Sequence, residues 1–181
     1  MRAFADFHRQ SAGSEYWIIG DGPERKRLEQ LARQLGVAEA VKFWGWLPRS
    51  EALERLAGCD VLIHPSLHES GGCVCLEAMG AGRPVVCLDL GGSALQVTQE
   101  TGIKLPASTP GRAVADLAAA MARLAGDAIL RARMGSASRR RVEEHFGWCE
   151  KGQLLATIYE DAVREAAPQN LKEVTCQSAS N

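Results

Sequence analysis

The chain has 181 residues, the size of one ordinary domain, and 46% of them are hydrophobic, which is enough for a substantial core. The 21 Lys and Arg residues balance 22 Asp and Glu residues, and a net charge of -1 argues against a dedicated nucleic-acid-binding protein. No stretch approaches the length of a membrane-spanning helix, and the first residues lack the apolar core of a secretory signal. We therefore expect a cytoplasmic protein with no nucleic-acid partner.

The cysteines are not spaced like the ligands of a metal site. None forms a Cys-x-x-Cys pair, and the first four lie among apolar residues. A zinc site needs clustered thiols or His at ligand spacing, so no metal is expected. We expect the cysteines to be small buried apolar residues of a protein that resides in a reducing compartment. The six positions are Cys59, Cys73, Cys75, Cys87, Cys149 and Cys176.

Short apolar runs alternate with amphipathic stretches after a predicted first helix over residues 2–11. Such runs are typical of strands buried on both faces. They predict strands at 16–19, 41–44, 61–64, 84–88 and 102–105. Helices are predicted to begin near Pro23, Pro48 and Cys73, and residues 89–92 are interpreted as a break after the fourth strand. The alternation is the signature of a parallel sheet covered by helices.

The character of the sequence changes after Pro110. Apolar residues then recur at helical spacing in three successive stretches, which predict three further helices. From Ala166 onward the residues are polar and aperiodic, so residues 166–181 are predicted to be a disordered tail. The expected organisation is one domain over residues 1–165.

A loop and a helix start between His68 and Pro84 are the most informative feature. The predicted strand at 61–64 is followed by a loop with two adjacent glycines, Gly71 and Gly72, and by a helix near Cys73. Ligands bind beyond the carboxyl ends of parallel strands, and amides at a helix N-terminus are ready donors for phosphate. Many loops between a strand and a helix contain two glycines, so this pattern alone is weakly specific.

Two carboxylates strengthen the prediction. Glu69 lies in the loop and Glu77, after seven intervening residues, lies about one turn into the helix. Both can face one crevice, where carboxylates accept hydrogen bonds from sugar or ribose hydroxyls. A solvent-exposed loop Glu and a helix Glu favoured by the helix dipole explain the same two positions equally well.

The whole run resembles a family signature. Glu69, seven residues, Glu77 and then Ala78-Met79-Gly80-Ala81-Gly82-Arg83-Pro84-Val85-Val86 resemble the signature of the group-1 glycosyltransferases, family 4 of the sequence classification. Further segments fit the same family in the same order. They are 20–24, 41–48, 64–66, 89–92 and the closing helices through Phe146 and Trp148. The resemblance covers roughly residues 1–165.

The resemblance implies a GT-B enzyme, in which two Rossmann-like domains flank a cleft and the C-terminal domain holds the nucleotide-sugar donor. The expected fold is α/β, a Rossmann-like parallel sheet with helices on both faces and extra C-terminal helices. The implied reaction transfers a hexose from a UDP-, GDP- or ADP-sugar to an acceptor hydroxyl with retention of configuration. No metal or cofactor is implied, and the full-length protein can be peripheral to a membrane.

The resemblance also implies roles for particular residues. Glu69 is the catalytic candidate and contacts donor-sugar hydroxyls, while Glu77 binds the ribose diol. The residues implied to offer backbone amides to the sugar and diphosphate are Ser70, Gly71, Gly72 and Cys73. Gly45, Trp46 and Leu47 are implied to lie near the base.

Two departures from the family pattern limit these implications. The family commonly has Gly-x-Gly after the first Glu, often with an aromatic at x, whereas this chain has Ser70-Gly71-Gly72. The first strand of the domain, with the Arg and Lys that neutralise the diphosphate, is not found in this sequence, nor is the N-terminal acceptor domain. We therefore expect residues 1–181 to be inactive alone, and a non-catalytic nucleotide-sugar-binding or scaffold module is the alternative.

Other residues have simpler interpretations. Arg139-Arg140-Arg141 suits an anionic lipid, but Glu143 and Glu144 stand at the spacing of intrahelical pairs, which favours a solvated helix face. His64, Trp17 and Trp44 are interpreted as core residues. The last helix carries an apolar stripe with no evident cover, so self-association is expected. Its residues are Leu154, Leu155, Ile158 and Val163.

Overall fold

The computed structural model describes residues 1–166, in which eight helices and five strands alternate along most of the chain. Residues 1–143 form one compact unit, and a second unit begins at Glu144. The strands are β1 Tyr16–Ile19, β2 Val41–Gly45, β3 Leu62–His64, β4 Val85–Leu88 and β5 Gly102–Leu105. The helices are α1 Arg2–His8, α2 Arg25–Gln34, α3 Arg49–Gly58, α4 Cys73–Gly80, α5 Gly91–Gln96, α6 Pro110–Gly126, α7 Ala128–His145 and α8 Trp148–Ala166. A 3₁₀ turn, Ala38–Ala40, precedes β2.

The strands are parallel, as predicted. β1 pairs with β2, and β4 lies between β3 and β5. β4 is fully buried, and its side chains alternate between two apolar clusters. Val86 and Leu88 join the cluster that contains the core residues of α1 and α6, whereas Val85 and Cys87 join the one that contains those of α4. Successive side chains of a strand point to opposite faces, so helices cover both faces.

The strands fall into two sheets, with β1 and β2 in one and β3, β4 and β5 in the other. Residues of β1, α3 and β3 line a cavity of about 1090 Å³, referred to below as the β1–β3 cleft. β1 and β3 are apolar, yet none of their residues is fully buried. The prediction that these two strands are buried on both faces is therefore wrong, because each presents an edge to the cleft. Trp17 and Trp44, predicted as core, are half-buried and pack edge to face.

Helix α5 was not predicted from the sequence. Residues 89–92 were interpreted as a break, but Gly91 begins a helix of 6 residues that ends at Gln96. Its Leu90 N-cap is extended, and Gly91 itself has a positive φ of 56°. Helix α1 ends at His8, three residues earlier than predicted. The predicted disordered tail lies outside the described residues except for Ala166, the last residue of α8.

Cys75 and Cys87 are fully buried, as predicted, and burial raises the pKa of the Cys75 thiol to about 12. Cys59 is half-buried, whereas Cys73 and Cys149 are exposed, so the prediction of burial is wrong for those two. Cys176 lies outside the described residues.

All four residues of the stripe on α8 are at least half exposed, from 51% for Leu155 and Ile158 to 70% for Val163. None of the helices within residues 1–166 is long and apolar enough to cross a membrane.

Candidate functional site

The candidate site lies at the carboxyl ends of β3 and β4. The loop from Pro65 to Gly72 connects β3 to α4, and α5 begins three residues after β4 ends. The carboxyl ends of neighbouring parallel strands share one edge, which is where α/β proteins bind their ligands. The loop residues and the first turn of α4 therefore lie where the glycine pattern predicts them.

The Glu69 carboxylate caps the glycine loop. Its Oε1 accepts hydrogen bonds from the amide of Gly72 at 2.7 Å and from the amide of Gly71 at 3.2 Å. Gly72 has a left-handed φ of 58° and is the N-cap of α4. Two amides and a helix N-terminus thus converge on one anionic oxygen, which makes this loop an anion-binding site filled by its own side chain.

The surroundings of Glu69 favour the ionised form of its carboxyl. The pKa of its carboxyl is lowered from the ordinary value of 4.5, chiefly by the hydrogen bond from the Gly72 amide, with further contributions from Gly71 and His64; partial desolvation opposes them. His64 Nε2 lies 3.4 Å from Glu69 Oε2. The same nitrogen is buried and makes no hydrogen bond to the described residues, so the interpretation of His64 as a satisfied core residue is wrong.

Glu77 lies in the second turn of α4 and pairs with a residue that the sequence analysis did not single out. Arg49 Nη2 lies 2.9 Å from Glu77 Oε1, and the Arg49 side chain is 78% exposed. Arg49 begins α3 directly after the segment of the predicted base site, so the pair brings that segment to α4. Gly45 is buried, Leu47 is half-buried and Trp46 is 77% exposed.

Helix α5 supports the glycine loop from beneath. The Gly92 amide donates to Glu69 O at 3.2 Å, and Gln96 Nε2 donates to Gly71 O. A Cβ on Gly92 would lie only 2.5 Å from Ser70 O, so α5 is packed directly against the loop backbone. The adjacent glycines were interpreted as a break, but the structure uses them for close approach.

Arg141 also reaches α5. Its guanidinium donates from Nε to Gln96 O at 2.7 Å and from Nη2 to Leu95 O at 3.2 Å. The interpretation of Arg139-Arg140-Arg141 as a solvated helix face is therefore wrong for Arg141, which caps the carboxyl end of α5. The hydrophobic periodicity of α7 could not predict this contact. A long basic side chain is assigned to the surface by its polarity, whichever residues its guanidinium contacts.

The arrangement suits an anionic, hydroxyl-rich ligand. Backbone amides at the start of α4 can donate to phosphate oxygens, and two carboxylates, Glu69 and Glu77, can accept from hydroxyls. Cys73 begins α4 and is exposed. Within residues 1–166, His, Cys, Asp and Glu form no group of three or more that could hold a metal ion.

Comparison with known proteins shows the family of the chain. The family of group-1 glycosyl transferases matches residues 1–141. A lipopolysaccharide core biosynthesis glycosyltransferase, LpsD of Rhizobium meliloti (strain 1021), is 36% identical over 130 residues, which are 72% of this chain and 36% of that protein. A glycogen synthase of Mycobacterium tuberculosis (strain ATCC 25618 / H37Rv) is 34% identical over 171 residues, which are 93% of this chain and 40% of the synthase. The chain thus spans less than half the length of either relative.

Among solved structures, Anabaena Alr3699/HepE in complex with UDP superposes with a TM-score of 0.77. It is 25% identical, and the match covers 89% of this chain and 45% of the Anabaena chain. The parallel strands with helices on both faces are therefore those of a GT-B glycosyltransferase. With its family match over most of its length and with relatives above 30% identity, this chain belongs to the group-1 glycosyltransferase family.

Proposed function

We propose that this chain is the donor-binding part of a retaining glycosyltransferase that transfers a hexose from a nucleoside diphosphate sugar to an acceptor hydroxyl. The observation that carries the proposal is the convergence of the Gly71 and Gly72 amides on one carboxylate oxygen, one helix turn from Glu77. Such a site suits a diphosphate beside a diol. The UDP complex of the Anabaena protein supports a uridine nucleotide as the first donor to test.

In this proposal Glu77 binds the ribose diol and Glu69 binds hydroxyls of the donor sugar. The amides of residues 70–73 take the diphosphate oxygens, and the segment Gly45, Trp46 and Leu47 lies beside the base. The exposed ring of Trp46 offers a stacking face. When the diphosphate binds, the Glu69 carboxylate leaves the two amides and becomes available to the sugar. The leaving phosphate is proposed to assist deprotonation of the acceptor, without a metal ion.

Glu77→Ala tests the ribose assignment. The loss of hydrogen bonds to a charged acceptor should weaken binding of both UDP and uridine by about 1.5–3 kcal/mol, measured by calorimetry. Glu54→Ala removes an exposed carboxylate from α3 and is the matched control. Unchanged UDP affinity in folded Glu77→Ala protein would rule out this role of Glu77.

The Glu69→Gln variant distinguishes two roles of the carboxylate, contact with the donor sugar and support of the glycine loop. If the carboxylate binds sugar hydroxyls, the variant should lose affinity for UDP-glucose relative to UDP, because the bare diphosphate makes no sugar contact. Calorimetric titration of both ligands gives the comparison directly. Equal losses for both ligands would assign Glu69 to the support of Gly71 and Gly72 instead.

We also infer that a further parallel strand, from polypeptide outside the described residues, fills the β1–β3 cleft and joins the two sheets. The half-buried apolar residues of β1 and β3, and the edges that these strands leave unpaired within residues 1–166, support this, since a strand edge with free backbone N–H and C=O groups is a template for a further strand. An acceptor domain is likewise proposed from outside this chain, so residues 1–181 alone should show no transfer. An assay with UDP-, GDP- and ADP-sugars and simple acceptors tests this. Multiple-turnover transfer by the chain would refute it, whereas donor binding by the complete protein without transfer would favour the scaffold alternative.

A further inference from the structure

Gln96 stands out among the buried polar residues of the described chain. It is 6% exposed, lies at the end of α5, and has no sequence motif around it. Its Nε2 donates to Gly71 O, while its Oε1 is buried without a hydrogen-bond partner in residues 1–166. An incompletely paired amide in a core is costly, so its presence beneath the glycine loop calls for a role there.

The geometry of the peptide unit shows what that role is. In a trans peptide unit the C=O and the following N–H point in opposite directions, and the described peptide bonds are trans. Gln96 holds the Gly71 carbonyl toward α5, so the Gly72 N–H must point away from α5. It points to Glu69 Oε1, which it reaches at 2.7 Å.

A second contact from α5 acts in the same way two peptides earlier. The Gly92 amide donates to Glu69 O, so the peptide between Glu69 and Ser70 is also fixed, and the Ser70 N–H must point away from α5. Helix α5 therefore sets the direction of two loop amides. Arg141 in turn fixes the end of α5 that carries Gln96, through the Gln96 and Leu95 carbonyls.

We propose that Gln96 is a positioning residue of the donor site, which orients the Gly72 amide toward the diphosphate by holding the Gly71 carbonyl. This inference rests on the proposed function for the nature of the ligand. Gln96 does not touch the donor; it acts through the Gly71–Gly72 peptide. A phosphorylated ligand should therefore be sensitive to Gln96, whereas an unphosphorylated nucleoside should not be.

The test compares UDP, UDP-glucose and uridine binding to Gln96→Met, which keeps the length of the side chain and removes the amide. We expect an affinity loss of about three- to tenfold for UDP and UDP-glucose, the size of one lost hydrogen bond, and none for uridine. Gln96→Asn, which shortens the amide by one methylene, should give the same selective loss if the methionine variant folds poorly. Gln30→Met on the exposed side of α2 is the control. Unchanged affinities, or equal losses for all three ligands, would overturn the proposal.

A measurement without nucleotide separates this inference from the proposed function. NMR titration of the Glu69 carboxyl should show its pKa closer to the ordinary 4.5 in Gln96→Met than in the wild type, because the misdirected Gly72 amide no longer bonds to it. If no nucleotide binds to the wild type but the pKa moves, the donor assignment fails and the positioning role stands. An unmoved pKa would refute the positioning role.

Discussion

At the scale of single residues, the Glu69 carboxylate would compete with the proposed donor. It occupies the Gly71 and Gly72 amides that a diphosphate requires. Two anions cannot share these donors, so the affinity for a diphosphate is the difference between two similar interactions. If the proposed donor binds here, we expect Glu69 to lower the affinity for the nucleotide through competition and to raise the affinity for the sugar through contacts with its hydroxyls.

The lowered pKa of Glu69 has a consequence for stability. A carboxyl whose folded pKa lies below its unfolded value stabilises the fold above the unfolded value, and that contribution is lost as the pH falls through the folded pKa. The difference in melting temperature between wild type and Glu69→Gln should therefore be constant near neutral pH and shrink below pH 4.5. Thermal unfolding from neutral pH to about pH 3 measures it, and a difference independent of pH would contradict the assignment.

The ion pair between Arg49 and Glu77 constrains the candidate site less strongly than the hydrogen bonds of Glu69 do. Arg49 is largely exposed, and exposed ion pairs contribute only about 0–1 kcal/mol. In the proposed function, ribose hydroxyls would therefore replace the guanidinium at little cost in free energy. The pair holds the segment that contains Trp46 close to α4 and still leaves the carboxylate accessible.

At the scale of the elements, the contact between α5 and the glycine loop depends on the small size of Gly92. A Cβ at this residue would lie 2.5 Å from Ser70 O and 3.1 Å from the Gly71 carbonyl carbon, both of which are backbone atoms. Gly92→Ala should therefore push α5 away from the loop and lower the free energy of unfolding by about 1–3 kcal/mol, measured by urea denaturation.

Gly111→Ala is the matched control for this change. It lies in α6, and a Cβ there would meet no atom within 4 Å. We expect the alanine to raise stability by about 0.4–1 kcal/mol, because it restricts the unfolded chain. Equal stability of Gly92→Ala and wild type would show that α5 does not depend on close packing against the loop.

The same elements show how far the sequence could be interpreted. β4 was predicted within one residue, because a continuous apolar run bounded by Pro84 and Asp89 fits a strand buried on both faces. Helix α5 was missed, since 6 residues that start with two glycines have neither helical propensity nor an amphipathic pattern of useful length. Its two glycines are explained only by the loop that packs on them.

The candidate site likewise contains residues that a local sequence pattern can predict and residues that it cannot. Glu69, Glu77 and the glycines between them form a local pattern, so the glycine loop at the start of α4 could be predicted from their spacing, whereas the predicted shared crevice of the two carboxylates stays a prediction. Arg49 and Gln96 act across 28 and 25 residues of sequence respectively, and no local pattern marks such contacts. Burial of β1 and β3 could not be judged either, because a strand's sequence does not show whether both of its edges are paired.

At the scale of the whole molecule, the exposed apolar stripe on α8 should govern solution behaviour. Its side chains remain at least half exposed, and exposed apolar patches tend to find partners. We expect the purified chain to self-associate as its concentration rises, and Ile158→Arg to shift it toward the monomer, as measured by light scattering. Gln153→Arg adds the same charge to the same helix outside the stripe and should leave the mass unchanged. A monomeric wild type at all concentrations would contradict this expectation.

The β1–β3 cleft has a practical consequence. A strand added to the outer edge of a sheet pairs on one side, whereas a strand inserted between β1 and β3 pairs on both and buries the half-covered residues of each. Insertion is thus far more selective than ordinary edge pairing. If the proposed strand is supplied as a separately produced segment, it should therefore bind selectively to the β1–β3 cleft, and simultaneous pairing with β1 and β3 would distinguish this binding from ordinary edge pairing.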